Sequence, residues 1–376
     1  IDVRQFSING SRGRLTIEPS EVSLCKSLMV VDGVLDSIDG NLTVDLNVDA
    51  DRLDEELLRA LQPIGKDGAD ATEKPEAQPV IIPRGVVRVK ANDFTYGGFT
   101  WSPVQAEVHL DGDKTQVQIN QADLCGISTT GALGFSPRGV SLRIAPAATD
   151  ASLQETVNCL WHRQAKAVAQ YDLTGDINLP PTRENLVRSM SGHMEFSSDK
   201  GRIAYASVLM KIFSVLNLTE VFTGGRSDLT EKGFGYTKAY AKAEIKEGKV
   251  QFSEILLDGN SLKITGQGAI ALDTREADIK LLAAPLKTID RIVNKIPIVN
   301  YIAGGSLISI PLRITGPLSN IKVSPMLPSA VGEGLLNIMG RTLKAPFRLV
   351  QSDSGFAVEE SSREIPQATE PSADAP

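Results

Sequence analysis

Leu42-Thr43-Val44-Asp45-Leu46-Asn47-Val48-Asp49 decides the fold class. Every second side chain is aliphatic and the ones between are polar. In an extended chain successive side chains point to opposite faces, so this stretch is a strand with one apolar and one polar face. The pattern returns at Val104-Gln105-Ala106-Glu107-Val108-His109-Leu110, at Val140-Ser141-Leu142-Arg143-Ile144, at Ala241-Lys242-Ala243-Glu244-Ile245 and at Val250-Gln251-Phe252. Turn residues separate the runs: Asp111-Gly112-Asp113, Glu247-Gly248-Lys249 and Asp258-Gly259-Asn260. Connections this short join antiparallel neighbours. The fold expected is mainly β with a few helices: an elongated, curved antiparallel β-sheet forming a groove, built from repeated strand units, with amphipathic helices near the C-terminal end.

Helical spacing is rarer. Leu53 to Leu61 reads as a short acidic turn of helix. Ser152 to Ala167 reads as a helix with Asp150 or Ser152 as its N-cap. Ile203 to Phe222 is the strongest candidate, with Tyr205, Val208, Leu209, Ile212, Phe213, Leu216 and Leu218 near one face. Leu286 to Lys295, stopped by Pro297, and Ala330 to Leu343, stopped by Pro346, complete the set. Gly65 to Pro79 reads as a linker. Gln351 to Pro376 is too poor in large apolar residues to offset its chain entropy and reads as a disordered acidic tail. The divisions expected are an N-terminal strand unit at 1–62, a linker at 63–83, a β repeat unit with a helix at 84–170, a C-terminal domain at 171–350 and the tail at 351–376.

The chain also repeats itself. Ala106-Glu107-Val108, Val117-Gln118-Ile119 and Gly131-Ala132-Leu133 recur as Ala243-Glu244-Ile245, Val250-Gln251-Phe252 and Gly268-Ala269-Ile270. Phe94-Thr95-Tyr96 and Phe234-Gly235-Tyr236 read as the starts of the two copies. A weaker third copy begins near Leu15-Thr16-Ile17 and runs through Val22-Ser23-Leu24-Cys25. Repeated strand-turn-strand units stack into one continuous sheet.

Composition narrows the chemistry. The 376 residues are 41% hydrophobic and only 5% aromatic, so small and β-branched side chains do most of the packing. A net charge of -7 argues against nucleic acid as a partner, because phosphate binding needs clustered Lys and Arg. The chain begins at Ile1, so it reads as a fragment or processed product, and it has no apolar run long enough for a membrane-spanning helix. Three cysteines and three histidines, none in a CxxC pair, make a zinc site improbable. No nucleophile elbow, phosphate loop, HExxH or dinucleotide fingerprint is present. His193, at a strand start, reads as structural. Asp45, Asn47 and Asp49 share a strand face but lack the loop of a calcium site. No enzyme activity, metal or cofactor is expected. Cys125 and Cys159 form a disulfide if the compartment is oxidising, and are otherwise two buried thiols.

The second half resembles the C-terminal region of the AsmA-like family, the TamB/YhdP type of Gram-negative envelope protein. The residues that carry the resemblance begin with Tyr171-Asp172-Leu173-Thr174-Gly175, Met190-Ser191-Gly192-His193-Met194-Glu195-Phe196 and Lys200-Gly201-Arg202-Ile203. They continue through Val215-Leu216-Asn217-Leu218, Ile264-Thr265-Gly266-Gln267-Gly268 and Pro285-Leu286-Lys287-Thr288-Ile289-Asp290. Ile296-Pro297-Ile298-Val299, Ile314-Thr315-Gly316-Pro317-Leu318 and Arg341-Thr342-Leu343-Lys344-Ala345-Pro346 close the series. The resemblance covers about Tyr171 to Leu349 and rests on the order of many weak motifs.

It implies a periplasmic protein, anchored in the inner membrane by an N-terminal segment outside this chain, that conducts phospholipids toward the outer membrane. Phospholipid, membrane and envelope proteins are the partners implied. The groove expected is lined by Leu42, Val44, Leu46, Val48, Val87, Val89, Val104, Ala106, Val108, Leu110, Val117, Ile119, Leu142, Ile144, Ala241, Ala243, Ile245, Val250, Phe252, Leu262 and Ile264. Leu209, Ile212, Phe213 and Leu216 would form a lid or plug helix, or equally an ordinary core helix. Two other functions compete: a scaffold in envelope assembly, whose apolar faces would close as a sandwich, and a degenerate carbohydrate-binding or hydrolytic β protein, which needs surface aromatics and a carboxylate pair and is disfavoured by having only Trp101 and Trp161.

Overall fold

Alternation at period two leaves each strand with an apolar face that must be matched to its neighbours' apolar faces, and register does the matching. The computed structural model describes residues 2–5, 7–11, 13–24, 27–38, 41–60, 83–161, 166–204, 207–216, 233–286, 299–302 and 306–344. They form one large open sheet that curves without closing. At one edge, β1 (Asp2–Gln5) and β2 (Ile8–Ser11) share β3 (Arg14–Leu24) as partner, and β4 (Ser27–Ile38) and β5 (Asn41–Leu53) follow as a meander. Helix α1 (Glu55–Ala60) comes next. β6 (Pro83–Tyr96) then pairs with β5, β7 (Phe99–Trp101) folds back on the end of β6, and β8 (Val104–Asp111) takes over the pairing. β9 (Lys114–Leu124), β10 (Ile127–Ser136) and β11 (Gly139–Ser152) continue it. After α2 (Leu153–Trp161) come β12 (Lys166–Val168), β13 (Gln170–Thr182), α3 (Leu186–Ser189) and β14 (Ser191–Ala204). Helix α4 (Ser207–Val215) precedes β15 (Phe234–Lys246), β16 (Lys249–Gly259), β17 (Leu262–Ala271) and β18 (Glu276–Pro285). β20 (Ser306–Pro317) pairs with β18 and carries β19 (Val299–Ile302) and β21 (Lys322–Pro325) on its free side, and α5 (Glu333–Lys344) ends the described chain.

One joint departs from the antiparallel expectation. β5 and β6 run parallel. The long connection through α1 returns the chain to the starting end, which a short turn cannot do. Several boundaries also differ. Residues 203 and 204 belong to β14, so the helix expected from Ile203 begins only at Ser207. Ala167 lies in β12, so α2 stops earlier than its apolar spacing implied, although Ser152 Oγ does accept from the Glu155 amide as an N-cap (3.3 Å). Asp258-Gly259 is still strand, and the turn falls at Asn260-Ser261. The linker Gly65–Pro79, the helix expected from Leu286 to Lys295 beyond Leu286 itself, the tail, Cys25, Tyr205 and Leu218 lie outside the described residues.

The repeat is structural. Ala106 pairs with Ile119, which pairs with Gly131, and Ala243 pairs with Phe252, which pairs with Gly268. Bulges interrupt both copies next to those alanines, between Gln105 and Ala106 and between Lys242 and Ala243. The third copy holds too, because Ile17 faces Gly33 and Leu15 faces Leu35 as Ile119 faces Gly131 and Val117 faces Leu133. The aromatic starts do not correspond. Phe94–Tyr96 ends β6 in a hairpin with β7, whereas Phe234–Tyr236 opens β15.

Gly131 (φ 147) and Gly268 (φ 156) occupy backbone conformations that side chains rarely adopt, and a Cβ at either would overlap the next strand's carbonyl oxygen, that of Arg143 or of Asp278. Glycines at such close approaches let a sheet bend. Gly268→Ala is expected to cost about 1–3 kcal/mol of stability, read as a lowered denaturation midpoint. Gly10→Ala, where an added Cβ meets only ordinary contacts, serves as the control.

Candidate functional site: a continuous apolar face

Following register partners across the sheet gives one unbroken row. It runs Val31, Val48, Val89, Ala106, Ile119, Gly131, Ile144, Ile177, Gly192, Ile245, Val250, Ile270, Ala277 and Gly316, each the direct partner of the next. No polar side chain interrupts it. Partners share a face, so every groove residue expected from the sequence, from Leu42 to Ile264, falls on this same face of the sheet. Sequence reasoning missed Val31, Leu35, Leu133, Ile177, Leu179, Met194 and Phe196, which lie on the same face. Their strands mix glycine into the pattern, which hides the alternation. Gly131, Gly192 and Gly268 hold the apolar phase without a side chain and were the signal available.

The opposite face is polar and laced by cross-strand pairs. Arg88 Nη1 donates to Asp45 Oδ1 (2.6 Å), and Asn47 donates to Asp32 (2.8 Å), so two of the three residues considered for a cation site are engaged in the ladder. His193 Nδ1 lies 3.4 Å from Asp176 on this exposed face. Arg313 grips Asp278 through two hydrogen bonds of 2.8 Å, and that pairing holds the Asp278 carboxyl below its usual range. Tyr240, half-buried and donating to Glu195, is pushed well above the ordinary phenol range, first by burial and then by that carboxylate. A recess of about 700 Å³ opens on this side, lined by Lys242, Glu244, Gln251, Gln267 and Lys280 among others. Its charges are of both signs.

Coverage of the apolar face changes along the sheet. β5, β6, β9, β11 and β14 run the same way, so α1, α2 and α4, which follow three of them, all sit toward one long margin. Leu57 of α1 packs on Met29, Ala50 and Ala91, and Leu153 of α2 packs against Ala148, Tyr171 and Leu173. Between margin and edge the aliphatic rows from β5 to β11 stay half-buried: Leu46, Val87, Val89, Val104, Ala106, Val108, Leu110, Val117, Ile119, Leu142 and Ile144 keep exposed surface. No second sheet covers them among the described residues.

The C-terminal end is closed. Ile212, Phe213 and Leu216, at the end of α4, pack on Phe234, Leu262, Ile264, Leu281, Ile310 and Leu312. Lys211 Nζ donates to the Ile321 carbonyl (2.6 Å) and ties the helix to β21. Leu335 and Met339 of α5 cover Leu282 and Ala284 on the other face. Strands β17 and β18 are thus sandwiched between two helices, which explains the unbroken apolar run Leu281-Leu282-Ala283-Ala284. Leu262 and Ile264 are therefore core residues under α4, and not lining of an open groove as expected. Val44, within the otherwise half-buried stretch, and Ala243 and Ile245 are also buried.

A disulfide joins Cys125, just after β9, to Cys159 in α2. Thr156 of the same helix donates to the Cys125 carbonyl (2.8 Å) and shares a hydrogen bond with the buried Tyr171 hydroxyl (2.9 Å).

Among the described residues no helix is long and apolar enough to cross a membrane. Comparison with protein families matches residues 146–323 to the family described as YhdP protein, in line with the AsmA-like envelope resemblance of the second half. Neither the curated proteins nor the solved structures give a significant match.

Proposed function

We propose, for a chain whose residues 146–323 match the family described as YhdP protein, that the half-open apolar face carries phospholipid acyl chains between inner and outer membrane. The observation that supports this reading most is the row from Val31 to Gly316. An apolar row continuous from β4 to β20, and left half-exposed from β5 to β11, needs an apolar occupant. A methylene chain fits the chemistry, since each CH₂ moved from water onto the face is favourable by about 0.8 kcal/mol. The polar headgroup stays in water along the open side. No residue acts as a catalyst in this reading: the face is permissive and smooth, and α4 closes it at the C-terminal end. The disulfide favours a periplasmic position, because such bonds persist in oxidising compartments. Among the described residues no second sheet covers the face, which disfavours the scaffold reading with its closed sandwich.

The test is lipid carried through purification. Wild-type protein isolated from envelopes in mild detergent is expected to hold phospholipid detectable by mass spectrometry. Val108→Asp places a charge in the middle of the half-exposed rows, where it is expected to strip the lipid at least roughly tenfold while leaving the unfolding midpoint nearly unchanged. Lipid-free wild-type protein in repeated preparations, or a Val108→Asp variant that retains its lipid, would sink the proposal.

A further inference from the structure

The margin that carries α1 and α2 also carries an aromatic tip. β6 and β7 close on Gly97-Gly98, and added Cβ atoms at both glycines would meet nothing within 4 Å, so the tip projects into open space. Tyr96 is 56% exposed and Phe99 38%. Their rings join a small cluster: Phe94 lies 5.7 Å from Trp101, and Phe99 6.3 Å from Trp101. The chain leaving β7 is fixed to the end of β9, where the Ser102 amide donates to the Asp123 carbonyl (2.7 Å). Two residues later Cys125 is bridged to Cys159, and two residues beyond that Trp161 stands 61% exposed at the end of α2. Both tryptophans of the chain therefore lie along one margin of the sheet, in a stretch stapled by the disulfide, with Phe94, Tyr96, Phe99 and Trp101 on the Arg88 and Lys90 side of β6 and the apolar face of Val89 and Ala91 turned the other way.

From this geometry we infer that the aromatic margin docks on the interface of a zwitterionic phospholipid bilayer, where acyl chains can pass sideways onto the apolar face. Trp and Tyr prefer the membrane interface because one end of the ring is apolar and the other hydrogen-bonds. Residues 94–106 contain no charged side chain, and the ion carried at the tip itself is the Glu55 carboxylate bonded to the Gly97 amide, which limits the tip to shallow docking at the headgroup level. The surroundings choose the lipid. Glu55 accepts from the Gly97 amide (2.6 Å), Asp51 lies at the end of β5 and Asp54 just before α1 on the same margin. An acidic border repels an anionic surface and tolerates a neutral one. This inference rests on the lipid-carrying reading but uses different residues from it.

The two tryptophans make the test intrinsic to the protein. With vesicles of phosphatidylcholine and phosphatidylethanolamine carrying brominated acyl chains, Trp fluorescence is expected to shift to the blue and to be quenched, and the protein is expected to float with the vesicles. Replacing part of the lipid by phosphatidylglycerol is expected to weaken binding at low salt. The double variant Tyr96→Ser/Phe99→Ser, and separately Trp161→Ser on the other element, should each weaken binding by on the order of tenfold while keeping bound lipid and the unfolding midpoint. Val108→Asp should lose its lipid and still float. Wild-type protein that floats without carrying lipid would refute the conduit and leave the docking margin standing. Wild-type protein that carries lipid but neither floats nor is quenched would overturn the docking margin alone, as would margin variants that bind like wild type or binding confined to phosphatidylglycerol vesicles.

Discussion

Phe213→Ala is expected to lower the free energy of unfolding by about 3–5 kcal/mol, the usual loss for an aromatic deleted from a packed core. The ring is 1% exposed and lies 5.7 Å from that of Phe234. It is the largest side chain that α4 places on the apolar face. The helix has nine residues, too few to be stable alone in water, so its existence depends on this packing. Removing the ring leaves a cavity over Leu262, Leu281 and Leu312 and loosens the helix itself. Phe213→Leu keeps most of the volume and should cost less than about 1.5 kcal/mol. Denaturant titration of the two variants reads the difference, and binding of an apolar dye reads whether the closed end has opened. An alanine variant as stable as the leucine variant would mean that α4 does not seal the end of the face.

The second large effect concerns Cys125 and Cys159. Their bridge closes a loop of 34 residues, which in the chain-entropy account stabilises the fold by about 3–4 kcal/mol. Replacing both by alanine, or reducing the bridge, is expected to lower the unfolding midpoint accordingly. The helix would not be freed entirely, because Thr156 still bonds to the Cys125 carbonyl and to Tyr171. Thr156→Val in the bridged protein should therefore cost less, about 1–3 kcal/mol, by leaving the buried Tyr171 hydroxyl without that partner. Equal stability of the oxidised and reduced proteins would remove the bridge from any structural role.

The physical origin of the groove explains which parts were readable from residues alone. Side-chain alternation has a period of two whatever lies around the strand, so Leu42 to Val48, Val104 to Leu110 and Ala241 to Ile245 declared their apolar side directly. The repeat was equally local. Ala106, Ile119 and Gly131 match Ala243, Phe252 and Gly268 because each set meets the same neighbours at the same bulge. The likeness of Phe94–Tyr96 to Phe234–Tyr236 was a coincidence of composition, since the two segments occupy different ladder positions.

The sequence by itself determined that this protein is a strand-rich repeat with one aliphatic face, because alternation, turn residues and glycine phase are properties of neighbouring residues. The tertiary structure alone decided which parts of that face are covered. Leu262 and Ile264 have the same alternation as Val104 and Ala106, yet α4 buries the first pair and leaves the second half-open, because a helix displaced along the chain chooses where to pack through contacts that no local pattern encodes. The parallel joint between β5 and β6 and the gathering of both tryptophans on one margin have the same cause. Each is set by the direction in which distant strands run, and strand direction is fixed only when the whole sheet has assembled.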